Sequence, residues 1–354
     1  MAETLRFGIV GLGMGGARAK LVPDTEGAEL VAVCDIWEER GQKLSEELGC
    51  EYIRDYEQML ARDDIDVVGV FTPSGMHAEF SQLALEAGKH TFSTKPMDIT
   101  VAACDTLLAT AESTELIYAV DFGSRYNKVN HQVRDALQSG ALGKIIIGDL
   151  RVKWFRAQSY YDGGFPAGWR SRLVTERGSL ANQAVHYVDL LQWWLGPVET
   201  VFGTYGTYGH NIETEDATAG MLKFASGAVG VVMTSTCSFP DLGTAIEITG
   251  TTGTISWQEQ EITRFVAAAK PDVGADGQPD YVLPENATAP DEVELRPDDF
   301  AAPEDLPTNI IEDMVAAITE GKPVQCDGYE GRKTVALFEA VYQSSETGAP
   351  VQIR

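Results

Sequence analysis

Gly8-Ile9-Val10-Gly11-Leu12-Gly13-Met14-Gly15-Gly16 is the stretch from which the fold is read. An apolar run leads into it, and a pattern compatible with a helix follows. Gly11, Gly13 and Gly16 stand in G-x-G-x-x-G register, with Met14 inside the loop. In such a turn the first glycine permits the tight bend. The second lets the backbone approach a diphosphate, and the third lets helix and sheet pack closely. The start of the following helix offers free N–H groups and partial positive charge to phosphate oxygens. A glycine triplet alone is weak evidence, because glycine turns are common. Its surroundings decide the matter.

Outward from the loop, residues 7–10, 30–34, 67–71 and 116–120 are short apolar runs that read as buried parallel strands. Helical patterns at 37–48, 78–87 and 101–111 lie between them. This alternation predicts a parallel sheet covered on both faces, a Rossmann arrangement. After Gly143 the rhythm changes. Residues 144–152, 198–207, 217–224, 228–237, 244–249 and 254–257 read as strands with few helices between them, which predicts a large, mostly antiparallel open sheet. Residues 179–195 read as one strong helix inside this half. Residues 267–307 read as a long solvated excursion, and 309–320 and 329–347 as two closing helices. The organisation is therefore an α/β domain over 1–123, binding a dinucleotide, and an α+β domain over 124–354 for substrate binding and oligomerisation. The last helix is free to pack back on the first domain.

Composition narrows the partners. The chain has 354 residues, 53 acidic against 27 basic, for a formal charge of −26. Such a field repels nucleic acid and anionic membranes, and it also suits a protein that stays solvated in high salt. No run approaches the ~20 apolar residues of a membrane span, and the N-terminus has no signal-peptide pattern. Cys34, Cys50, Cys104, Cys237 and Cys326 are dispersed without CxxC spacing, which points to reduced thiols in the cytoplasm. No grouping of His, Cys and carboxylates has metal-ligand spacing, so no metal is expected.

A predicted strand ends at Asp35, 24 residues beyond Gly11, near the spacing of a ribose-binding carboxylate. A carboxylate there accepts from both ribose hydroxyls and repels a 2′-phosphate. Residues 36–39 bring no cation; Arg40 and Lys43 come later. NAD is favoured over NADP. Phe71-Thr72-Pro73-Ser74-Gly75-Met76-His77 and Ser93-Thr94-Lys95-Pro96-Met97 follow two further strands, on the edge of the sheet where ligands bind. Oxidation of an alcohol needs a base or proton relay with a pKa near working pH. A partly desolvated lysine such as Lys95 meets that need. In the second half, Asn182 and His186 are i and i+4 on the predicted helix, with Asp189 three residues beyond the histidine.

With the glycine loop, these segments and Gly178–Gly196 form an ordered set that resembles the Gfo/Idh/MocA family of NAD(P)-dependent sugar and inositol dehydrogenases, over essentially the whole chain. The resemblance implies hydride transfer between a nicotinamide and a hydroxyl-bearing carbon of a sugar, inositol or related polyol. It implies that Lys95 is the lysine of the family's E-K-P motif and that His186 is an acid/base. Glycoside cleavage on a tightly held NAD, and a non-catalytic NAD- or sugar-binding role, are the alternatives. Three positions depart from the pattern: Thr94 stands for Glu, Asn182 for Asp, and Arg177-Gly178-Ser179 for a triple glycine. An amide at 182 hydrogen-bonds but cannot titrate, which shifts proton handling to His186 and Lys95.

Thr72, Pro73 and His77 are assigned to the cofactor pocket. Arg170 reads equally as a substrate ligand or a structural ion pair. Tyr126 reads as a residue of the active-site mouth or of hinge packing, and Asp189 as an orienter of His186 or a capping carboxylate. An open sheet with an apolar face needs cover, so a homodimer or homotetramer through strands within 217–257 is expected.

Overall fold

In a computed structural model, residues 4–269 and 291–353 are described. The first sheet contains β1 (Leu5–Val10), β2 (Ala28–Cys34), β3 (Glu51–Ile53), β4 (Val67–Val70), β5 (His90–Thr94) and β6 (Tyr118–Asp121), in the order β3-β2-β1-β4-β5-β6. Every pairing in it is parallel. β4 and β6 are buried on both faces and β1 nearly so, as apolar runs such as Val67–Val70 demand. The order reverses between β1 and β4, and ligands bind beyond the carboxyl ends of strands at such a switch point. The helix after the glycine loop is shorter than the pattern suggested. It covers only Gly15–Ala19, and a 3₁₀ turn at Val22–Asp24 follows. Pro23 has no N–H to carry the i→i−4 ladder onto the Ala19 carbonyl, and it sits instead in the 3₁₀ turn.

The second sheet holds β7 (Ile145–Lys153), β8 (Val198–Gly206), β9 (Ala217–Phe224), β10 (Val229–Ser235), β11 (Gly243–Gly250), β12 (Gly253–Gln258), β13 (Glu261–Ala268), β14 (Glu292–Glu294) and β15 (Val351–Gln352). Their order is β14-β13-β12-β11-β7-β10-β9-β8-β15, antiparallel except for β7 with β10. Alternation along β9 and β10 sends Leu222 and Val232 to a covered face and leaves Met221, Val229, Val231 and Met233 exposed on the other. Of the excursion read over 267–307, residues 270–290 lie outside the described residues; the remainder contributes β14 and a 3₁₀ turn at Pro297–Asp299.

The chain divides into two compact units. The first comprises Met1–Tyr126, Ser159–Arg177 and Pro307–Ala336; the second comprises Asn127–Gln158, Gly178–Leu306 and Leu337–Arg354. In the first, Ile310, Ile311 and Met314 of helix Ile310–Glu320 join Phe7, Ile9, Val22 and Phe71 in one hydrophobic core. Cys326 and Asp327 extend this unit by bonding to β6. In the second, Trp194 Nε1 donates to the Asn130 carbonyl at 3.0 Å, and Trp193 packs edge-on to His131. These contacts anchor helix Val185–Leu195 in its core.

The helix expected over 179–195 is interrupted. Ser179–Gln183 form a turn of π-helix, and the α-helix begins only at Val185. The cause is Glu215, a buried carboxylate that accepts from Gly178 N at 2.8 Å and Leu180 N at 2.9 Å. A Cβ on Gly178 would fall 1.6 Å from the Glu215 carbonyl oxygen, so only glycine fits there. Asn182 therefore lies in the π-turn and His186 in the α-helix, so the two do not belong to one continuous α-helix. His186 and Asp189 do, since both lie within Val185–Leu195.

Candidate active site

The glycine loop follows β1 directly. Gly11 has φ +85°, and a Cβ on it would lie 2.4 Å from the Phe71 carbonyl oxygen. No other residue fits the bend. Gly13 is different: among the described residues, a Cβ there would meet only the Arg40 guanidinium, 3.6 Å away. The backbone is open on that side, as approach by a diphosphate requires. A Cβ on Gly16 would meet Leu44 at 3.6 Å, while Met14 is exposed.

Asp35, just past β2, is buried and ties the loop down. Its Oδ2 accepts from Leu12 N at 2.7 Å and its Oδ1 from Trp37 N at 2.8 Å. Arg40 spans both oxygens at 2.9 and 2.7 Å and lies over the Trp37 ring at 5.0 Å. Trp37 in turn stacks on Phe165 with ring centroids 5.1 Å apart. Arg40 was read as too late in the chain to matter at Asp35. The first turn of helix Glu38–Leu48 brings it back onto that carboxylate.

At the ends of β4 and β5, His77 joins the two loops. Its ring nitrogens lie 2.7 Å from the Pro96 carbonyl and 2.7 Å from the Thr72 carbonyl. The buried Thr72 Oγ1 has no hydrogen-bond partner among the described residues, a hydroxyl suited to a ligand at this edge. These features fit a dinucleotide: an open glycine cradle, a carboxylate at the ribose position and an unused hydroxyl at the adjoining strand end.

Lys95 follows β5. Burial pulls its ammonium down to about 8, while Glu176 and Asp121 act in the opposite sense. Asp121, at the end of β6, accepts from Arg18 Nε at 2.6 Å. Glu176 is buried and accepts from Ser74 N at 2.9 Å and Ser74 Oγ at 2.8 Å.

The remaining candidates of the first unit have structural surroundings. Arg170 lies over Tyr160 at 4.9 Å and Trp169 at 4.6 Å, within its own short segment. The Tyr126 hydroxyl donates to buried Asp313 at 3.1 Å, a contact that belongs to packing. In the second unit, Asn182 Oδ1 accepts from Gln183 at 2.7 Å, and Gln183 accepts from Arg156 at 3.2 Å. His186 is half-buried and Asp189 fully buried on the helix that follows. The His210 ring lies 3.0 Å from Asp216 and 2.7 Å from the Arg156 carbonyl.

Sequence reading missed Glu176, Asp121, Arg18 and Glu215. Only a strand-end position marked Asp121; nothing local marks the others.

Residues 5–122 match the profile of the oxidoreductase family with an NAD-binding Rossmann fold. Residues 130–256 match the GFO/IDH/MocA C-terminal domain. The chain belongs to the Gfo/Idh/MocA family. Within that family, it is 26% identical over 346 residues to a D-apiose dehydrogenase from Paraburkholderia graminis, covering 94% of this chain and 84% of the other. It is 24% identical over 354 residues to an inositol 2-dehydrogenase from Rhizobium meliloti, covering 96% of this chain and 97% of the other. Among solved structures, it resembles the WlbA dehydrogenase from Bordetella pertussis in complex with NADH and UDP-GlcNAcA. That match has a TM-score of 0.84 and 26% identity, over 99% of this chain and 98% of that one. As a Gfo/Idh/MocA protein the chain is an oxidoreductase with an NAD-binding domain. Among the described residues, no helix is long and apolar enough to cross a membrane.

Proposed function

We propose that this chain is an NAD-dependent dehydrogenase oxidising a secondary or anomeric hydroxyl of a sugar, an inositol or a related polyol, with Lys95 and His186 handling the proton. The observation that carries this reading is Lys95, whose ammonium is lowered to about 8 by burial beside the loops of a dinucleotide cradle. A base with a pKa near working pH is what alcohol oxidation requires.

Gly11, Gly13, Met14 and Gly16 would hold the diphosphate of NAD, Asp35 its ribose, and Thr72, Pro73, His77 and Lys95 the nicotinamide side. When bound, NAD supplies the hydride acceptor. Neutral Lys95 would take the hydroxyl proton, and the His186 imidazole would serve as a second acid/base. Asn182 orients hydroxyls through an amide that both donates and accepts, and Asp189 orients His186. Arg170 and Tyr126 would contribute to substrate binding. The domain over 1–123 binds the cofactor. The domain over 124–354 binds substrate and assembles a cytoplasmic homodimer or homotetramer through the exposed face of β9 and β10. The D-apiose and inositol 2-dehydrogenase relatives support a polyol substrate.

The test is a panel of sugars, inositols and glycosides, assayed at low and high salt for both NADH formation and aglycone release. NADH accumulating with a free polyol supports the proposal. Aglycone released without net cofactor turnover overturns it in favour of glycoside cleavage. Lys95→Met that leaves the turnover rate intact removes the lysine from its role.

A further inference from the structure

A buried ammonium needs a compensating negative charge if it is to cycle between its charged and neutral forms near neutral pH. In this chain β5 brings none of its own, because position 94, immediately before Lys95, is threonine. Asp121 pairs with Thr94 in register across β5 and β6, but its Oδ2 is bound to Arg18 at 2.6 Å and its charge is shared with that cation. The other acidic group is Glu176, at 1% exposure. It lies far along the chain, in the segment Ser159–Arg177 that belongs to the same compact unit as β5. That segment is fastened along the loop after β4. Ser74 N and Oγ donate to Glu176 at 2.9 and 2.8 Å, and Gly75 N donates to the Thr175 carbonyl at 3.0 Å. The approach is close enough that a Cβ on Gly75 would lie 2.8 Å from the Val174 carbonyl oxygen. Ser74 Oγ also donates to Glu176 Oε2 at 2.9 Å, and β4 and β5 are adjacent with Val70 paired to Ser93.

We propose that Glu176 is the positioning residue for Lys95, a carboxylate delivered from a distant segment to stand where β5 has a threonine, holding the amine in place and keeping it able to carry a proton. The inference rests on the role given to Lys95 above. Electrostatically, Glu176 is the larger of the two charges that favour the ammonium against burial, with Asp121 second. Other titratable groups at this edge are Arg18, through Asp121, His77, which binds the Pro96 carbonyl next to the lysine, and buried Asp98, which accepts from Ala78 N and Ile99 N.

Glu176→Gln is a clean probe. Both the Ser74 N–H and one Ser74 hydroxyl bond end on Oε1, which an amide oxygen replaces, so the loop contact survives while the charge is lost. The primary readout does not need turnover. The protein without substrate is acylated with limiting acetic anhydride at a series of pH values, and labelling of Lys95 is followed by peptide mass spectrometry. Loss of a neighbouring opposite charge is expected to move the labelling midpoint down by about one pH unit. At pH 7 this gives several-fold greater labelling. Glu176→Asp, which keeps the charge one methylene further back, falls between parent and glutamine variant. Adding Thr94→Glu to Glu176→Gln moves the midpoint back up. A midpoint unchanged in Glu176→Gln, or one not raised by Thr94→Glu in that background, overturns the assignment. If Glu176→Gln fails to fold, the Glu176→Asp midpoint decides, and an unchanged value there counts against it. The midpoint measures the coupling itself, whereas turnover in Lys95→Met measures the catalytic role, so the two ideas fail separately.

Discussion

The rate of alcohol oxidation should climb with pH through the titration of Lys95. Its amine titrates at about 8. About a tenth of it is then neutral at pH 7 and about nine-tenths at pH 9, a gain of about tenfold in competent base. Only the neutral amine accepts a proton, so kcat/KM for oxidation rises with unit slope below pH 8 and flattens above it. The reverse reduction, which needs the ammonium as donor, falls over the same interval. Arginine cannot be deprotonated in this range. Lys95→Arg keeps the cation but should abolish the limb and lower kcat/KM by about 10²- to 10⁴-fold. The assay is initial-rate NADH absorbance at limiting polyol, between pH 6 and pH 9.5, in both directions. A flat profile in the parent protein, or the same limb surviving in Lys95→Arg, would refute the assignment of the proton to this amine.

Further outcomes follow from other groups. Burial lifts the Asp313 carboxyl from 3.8 to about 6, so the folded state binds its proton more tightly than the unfolded chain. Stability from this group is present below about pH 4 and is lost as pH rises through 6, by about 3 kcal/mol at most. Its Oδ2 takes both the Tyr126 and Gln325 bonds, which an asparagine oxygen can keep. Asp313→Asn should therefore be about 1–3 kcal/mol more stable than the parent at pH 8 and near parity below pH 4, as read from paired urea melts. Asp35→Ser removes the charge that opposes a 2′-phosphate and releases Arg40. The kcat/KM ratio for NADP over NAD should rise at least tenfold, and an unchanged ratio means that cofactor choice lies elsewhere. Val231 is exposed on β10 directly opposite Asp149. Val231→Asp should shift the protein to a smaller species on sizing chromatography; a parent that already elutes as a monomer contradicts assembly through this face.

The glycine loop, Asp35, the Thr72–His77 loop and Lys95 were legible because each is a local pattern at the end of a strand, and parallel α/β topology gathers strand ends on one edge. The open second sheet was legible from alternation, as in β11, where Ile246 and Ile248 are buried and the residues between and beside them are less so. What escaped is non-local. Glu176 meets Ser74 across 102 residues, and no spacing rule links them. Arg40 was undervalued because distance along the chain was taken for distance in space, although one helical turn returns it to Asp35. The break before Val185 was invisible for a related reason. Residues 179–195 have helical periodicity throughout, and the π-turn is imposed by Glu215, which lies 37 residues beyond Gly178.

Ile310, Ile311 and Met314 complete the core that begins with Phe7. A ribosome making this chain has thus released the whole glycine loop, both of its neighbouring strand ends and most of the second sheet before the nucleotide-binding half can close its hydrophobic interior. The glycine-loop region waits, with apolar surface still uncovered, for helix Ile310–Glu320. Expressed alone, the first 126 residues should be the aggregation-prone part of the molecule.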